Sequence, residues 1–145
     1  MSRAALGLPS MRHAVLSIAL LCAACASDAP KRDAALLAEY QKVAGNPVDD
    51  FFFWDLRNGW QVLGPEHLVV WTTPWDAYLL RVRKPCLDLQ FAQTIAVTST
   101  ANTVHRGLDS IRVRDTVPCP IEEIRPVDYH KFLAFHSATK PPHAD

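Results

Sequence analysis

Glycine is scarce, with five residues in 145. No glycine-rich loop able to cradle phosphates is present, which argues against a nucleotide site, and no cofactor is expected. Net charge is also missing: 15 Lys and Arg face 15 Asp and Glu. Electrostatic capture of DNA or RNA needs a basic face, so nucleic acid is not an expected partner. There is no G-x-S-x-G elbow and no H-E-x-x-H helix, so two hydrolase signatures are lacking. No apolar run reaches the ~20 residues that a membrane-spanning helix needs. Repeats and heptads are absent. The length suits one domain, and four Trp with about half the residues apolar give it material for a core.

The N-terminal segment shortens the working chain. Met1 to Ala24 holds Arg3, Arg12 and His13 and no acidic residue, and Ala14 to Ala24 is apolar apart from Ser17. A basic start, a short apolar stretch and small residues at its end describe a secretory signal over residues 1–24. The end, Leu21-Cys22-Ala23-Ala24-Cys25-Ala26, resembles the lipobox of bacterial lipoproteins, with Cys25 as the lipidated residue. Cys22 stands where that motif usually has Leu. Ala26 after the cysteine, in place of Asp, implies sorting to the outer membrane. Several acyl chains would anchor the chain stably, where one alone binds marginally. Loss of residues 1–24 leaves 121 residues, with 13 basic against 15 acidic.

Cys86 and Cys119 then remain, each beside proline, in Lys84-Pro85-Cys86 and Val117-Pro118-Cys119-Pro120. In an oxidising periplasm two remaining thiols usually pair. They are too far apart in sequence for a C-x-x-C redox motif, so a structural disulfide is expected over a catalytic or metal role.

Residues 25–48 read as a lipidated tether followed by a short helix from Ala34 to Val43, capped by Asp33 and stopped by Gly45-Asn46-Pro47. Residues 49–135 read as a compact disulfide-stapled β domain, and 136–145 as a flexible tail. In 77–83, Tyr78, Leu80 and Val82 alternate with Leu79, Arg81 and Arg83, the period of a half-buried strand. Ile111 and Val113 alternate with Arg112 and Arg114. Pro126 confines the last strand, Ile121 to Val127, to an edge or a bulge. Asp88 to Gln93 suits a helical turn or a strand, and 129–135 a short helix. Six or seven short strands about ten residues apart predict an all-β fold, a small barrel or sandwich, with a short N-terminal helix.

Gly59-Trp60, Leu68-Val69-Val70-Trp71-Thr72, Ala77-Tyr78-Leu79-Leu80, Pro85-Cys86 and Cys119-Pro120-Ile121-Glu122-Glu123-Ile124-Arg125-Pro126-Val127 recur in an order that resembles a proteobacterial family of lipoprotein-like chains built on a domain of unknown function. The resemblance implies an envelope location and a compact domain. It transfers no functional residue.

Arg81, Arg83, Arg112, Arg114 and Arg125 fall on outward strand positions and form a candidate stripe for an anionic sugar, headgroup or carboxylate. The simpler alternative is a solvated face paired with Asp76, Asp88, Asp109, Asp115 and Glu123. Trp60, Trp71 and Trp75 read as core packing, with an aromatic ligand groove as the alternative. Glu122 and Glu123, adjacent on a strand, should point to opposite faces. His130, His136 and His143 lack metal-ligand spacing.

The expected function is a non-enzymatic binding or scaffold module of the cell envelope, lipid-anchored at the periplasmic face of the outer membrane. Its expected partners are the membrane and an envelope protein or anionic ligand. The alternative is an envelope enzyme acting on cell-wall or lipid material, which needs a pocket joining His67 or His105 to a carboxylate. Metabolic labelling with palmitate should mark the wild-type chain and not Cys25→Ala; unchanged label in the variant would sink the lipid anchor.

Overall fold

A computed structural model describes residues 28–139. Helix α1 (Asp28–Val43) opens it, and eight strands follow: β1 (Asp50–Phe52), β2 (Trp60–Val62), β3 (His67–Trp71), β4 (Asp76–Val82), β5 (Ala96–Val97), β6 (Thr103–His105), β7 (Ser110–Arg112) and β8 (Cys119–Asp128). Helix α2 (Tyr129–Thr139) closes it. Six strands form one antiparallel sheet in the order β2-β3-β4-β8-β7-β5, and β1 pairs with β6 in a second. The larger sheet curls into a half-barrel, as the all-β expectation requires. It does not close, so β2 and β5 are edges.

The inner face carries the main core. Leu68, Val70, Leu80, Val82, Ile121 and Ile124 pack with Phe51 and Phe53 around β1 and with Val104 of β6. Phe52 and Trp54, of opposite phase to Phe51 and Phe53, stay exposed. The outer face is only partly wet. Leu79, expected to face solvent, is 4% exposed. Together with Val69, Ala77 and Val127 it lies beneath Tyr40 of α1 and Phe132 of α2. The two rings stack at 3.9 Å, 7° from parallel. Helices therefore cover one end of the outer face, and alternation along β4 separates two cores rather than core from water.

Two boundaries and one strand differ from expectation. Helix α1 starts at Asp28, so residues 28–32 are helical and the tether is shorter; Pro30 lies in the first turn, where its missing N–H has no intrahelical partner to lose. Helix α2 runs on to Thr139, so residues 136–139 are not tail. His136 Nδ1 lies 2.6 Å from Glu39 Oε2, which ties its last turns to α1. Asp128 caps α2, its Oδ1 accepting from the Lys131 N–H at 3.0 Å. The strand β6 was not expected. Thr103-Val104-His105 is too short to show alternation, and it follows Ala101 and Asn102, both at positive φ. Asp88–Gln93 resolves as a single 3-10 turn at Leu89–Phe91.

Pro126 sits where β8 has β4 on one side and the 44–48 linker on the other. Its carbonyl accepts from the Gly45 N–H at 2.8 Å, and the Ile124 carbonyl accepts from Val48 at 2.9 Å. The nitrogen of Pro126 thus faces away from β4, and the β4 ladder loses no donor.

Cys86 and Cys119 form the expected disulfide, with Cα atoms 5.5 Å apart and residues 33 positions apart in sequence. Both cysteines sit in the inner core. Replacing both with Ala should lower stability by roughly 3–4 kcal/mol, from the loop-closure entropy restored to the unfolded chain. Urea unfolding of the wild type and the double variant measures it, and an unchanged midpoint would show that the staple contributes nothing.

Candidate functional site

Two surface features carry chemistry. The first grows from a bulge in β8. The register runs Arg81↔Glu123 and then Val82↔Ile121, so Glu122 is an extra residue. A bulge bends its strand and re-aims side chains. Glu122 and Glu123, expected on opposite faces, therefore both meet Arg81: Nη1 to Glu122 Oε2 at 2.7 Å, and Nη2 to Glu123 Oε2 at 3.2 Å. Arg83 Nε reaches Glu122 Oε1 at 2.9 Å. The bulge also lets Ile121 and Ile124 share one core, although their odd spacing in a regular strand would separate them.

Of the five arginines singled out, Arg81, Arg83 and Arg125 lie together on this face. Arg125 also donates to the Gly45 carbonyl at 2.8 Å and the Ala44 carbonyl at 3.4 Å, holding the linker. Arg112 ends β7, and Arg114 follows it at positive φ. Neither has an ion pair among the described residues. Asp109 is buried and meets a hydroxyl and a backbone N–H instead of an arginine. It accepts from Thr98 Oγ1 and from the His105 N–H, each at 2.8 Å. Cys25 lies outside the described residues.

Beside the ion pairs is a cavity of about 160 Å³ lined by Gln41, His67, Leu79, Arg81, Glu123 and Arg125. Burial pushes the His67 imidazole below its ordinary value. His105 is elsewhere, on β6, 3.9 Å from Asp50. Among the described residues no cluster of His, Cys, Asp and Glu is arranged to hold a metal.

The second feature is a groove of about 450 Å³ at the β2 edge. Trp60 and Gln61 enter from β2, Trp71 from β3 and Tyr129 from the start of α2. The turn before β2 and the loop after β3 complete it with Asn58, Gly59 and Pro74. Trp60 packs on the inner core and Trp71 on the outer, so the groove crosses the sheet edge. Its walls are fixed. Asn58 Nδ2 donates to the Thr72 carbonyl at 2.7 Å, and the Trp71 N–H donates to the Gly59 carbonyl at 3.1 Å. Gly59 needs its φ of +98°; a Cβ there would meet nothing within 4 Å, so backbone conformation and not space selects glycine. Thr73 Oγ1 accepts from the Asp76 N–H at 2.9 Å and holds the loop bearing Pro74. Trp60 and Trp71 are groove candidates in the sequence; Asn58, Gln61 and Tyr129 join them only in the fold. Trp75 instead stacks on His130 at 4.9 Å.

Residues 9–140 match a family of unknown function, DUF6491. The chain belongs to that family. Neither a curated protein nor a solved structure matches it. The DUF6491 match takes in every strand, the disulfide, the bulge cluster and the groove.

The bulge cluster of this DUF6491 chain should make stability depend on acid pH. Arg83, hydrogen-bonded to Glu122, and then Arg81 hold that carboxyl below its ordinary value of 4.5. A folded-state value below the unfolded one stabilises the fold above the unfolded value, and that stability is lost as pH falls through the folded value. The urea midpoint of Glu122→Gln should lie below wild type at pH 7, and the gap should close towards pH 3. An equal gap at both pH values would remove the ion pairs as its cause.

Proposed function

We propose that this chain is a lipid-anchored, non-enzymatic binding module of the cell envelope, held through Cys25 at the periplasmic face of the outer membrane. The observation that carries the binding half is the groove at the β2 edge: half-buried aromatic rings beside exposed amides, on walls fixed by backbone hydrogen bonds. Small-ligand sites share that composition and its size, ~300–1,000 Å³. The Cys86–Cys119 disulfide supports the envelope half, since such bonds persist in oxidising compartments. The secretory signal, the lipobox and the proteobacterial, lipoprotein-like relatives are readings of the sequence that point the same way. On this reading the start of α1, at Asp28, lies three residues beyond the lipidated cysteine in sequence.

An anionic group on the partner would fall to Arg112 and Arg114, because Arg81 and Arg83 already face Glu122 and Glu123. The second reading, an envelope enzyme acting on wall or lipid material, draws on the cavity that His67 and Glu123 both line. It stands second because Arg81 already occupies that carboxylate.

Full chain carrying Cys25→Ala, mixed with isolated envelope fragments, should sediment with them. Adding Trp60→Ala and Gln61→Ala should weaken that association at least tenfold, about 1.4 kcal/mol, and Gln61→Ala alone, at an exposed side chain, should weaken it with the disulfide and the urea midpoint retained. Failure of the Cys25→Ala chain to sediment would defeat the binding reading.

A further inference from the structure

The groove at the β2 edge has a chemistry narrower than "binding". None of its lining residues is charged. The charged cavity at Arg81 and Glu123 lies elsewhere on the sheet. Arg and carboxylate clamps, which select phosphate, carboxylate or ammonium groups, are therefore lacking where a ligand would sit. The lining offers instead flat apolar surface and neutral hydrogen-bonding groups. Trp60, Trp71 and Tyr129 supply the rings, and those of Trp71 and Tyr129 meet edge to face, 79° apart at 5.6 Å. Two walls at a steep angle suit a puckered ring that presents an apolar face to one and an edge to the other.

The polar inventory narrows the choice again. Gln61 is exposed and makes no side-chain hydrogen bond among the described residues. Asn58 spends Nδ2 on the Thr72 carbonyl, which leaves its Oδ1 as an acceptor. The indole N–H groups of Trp60 and Trp71 and the Tyr129 hydroxyl likewise have no hydrogen-bond partner among the described residues, and none is buried unsatisfied. The groove thus presents donors and acceptors together.

We propose that it binds a short run of neutral pyranose rings, a glycan. This deepens the binding reading above and rests on it. Sugar C–H faces pack on aromatic rings, and sugar hydroxyls both donate and accept. A proline-rich peptide would also stack on these rings. Its backbone lacks N–H donors at proline, however, and would leave the Asn58 and Gln61 acceptors unmatched. The groove is open to solvent, so a chain can enter and leave it along its length.

The test is calorimetric titration of full chain carrying Cys25→Ala. The probes are three neutral tetrasaccharides (beta-linked N-acetylglucosamine, beta-linked glucose and alpha-linked glucose), a galacturonate tetramer and a proline decamer. At least one neutral tetrasaccharide should bind with Kd below about 1 mM. Gln61→Ala should weaken that binding about tenfold with a urea midpoint close to wild type, and Trp60→Ala should abolish it at a lower midpoint, since Trp60 also packs on the inner core. Gln61 is exposed, so its variant reports on binding even where Trp60→Ala disturbs the fold. Binding of no neutral tetrasaccharide, binding of the proline decamer or the galacturonate instead, or binding indifferent to Gln61→Ala would each overturn the glycan. If the chain still sediments with envelope through Trp60 and Gln61 while no tetrasaccharide binds, the binding module stands and only its ligand class falls.

Discussion

The antiparallel pairing of β4 with β8, seven partners long from Asp76↔Asp128 to Val82↔Ile121, is the constraint on which the other parts depend. It is the longest register in the sheet, and both of its faces are used. Inward, Leu80, Val82, Ile121 and Ile124 meet the aromatic strand β1. Outward, Ala77, Leu79 and Val127 meet the helices through Tyr40 and Phe132. Covering apolar surface on both faces removes more of it from water than a half-buried strand can, at about 25 cal/mol per Å². The disulfide fastens the far end: Cys119 begins β8, and Cys86 follows the end of β4.

Polarity along this ladder follows the helices. Under α1 and α2 most outer positions are apolar, Arg125 beside Leu79 excepted. One row further along they become His67, Arg81 and Glu123, which are neighbours across β3, β4 and β8. Arg81 and Glu123 pair there, beside the cavity that His67 also lines. The uncharged groove lies at the opposite end of β3, where Trp71 leaves the strand. Charge and aromatic surface are thus kept apart on one sheet.

Much of the architecture was legible in the sequence. Alternation marked β4 and β7, Pro-flanked cysteines marked the disulfide, and the 129–135 run marked α2. What was not legible has physical causes. Leu79 could not be placed because period two tells which side a residue faces, not whether a helix lies there. Glu122 and Glu123 could not be joined because one extra residue in a strand is invisible to a pattern that assumes none. Strand β6 was missed because three residues carry no period. Of the groove, Trp60 and Trp71 were legible as aromatic candidates. Asn58, Gln61 and Tyr129 join them through strand pairing and helix docking, which no local window contains.

The extra residue at Glu122 also sets a rule of parity. In an unbroken strand, residues six apart turn their carbonyls to the same side. Pro120 and Pro126 do not, since one carbonyl accepts from Arg83 and the other from Gly45. A single inserted position thus lets one strand keep two opposite phases, one for β4 and one for the β7 end. Shortening β8 by that one residue would turn Ile121 out of the core and swing Cys119 from Cys86. In this fold, the residue count of β8 is itself a constraint, set by the bulge between the Val82↔Ile121 and Arg81↔Glu123 pairs.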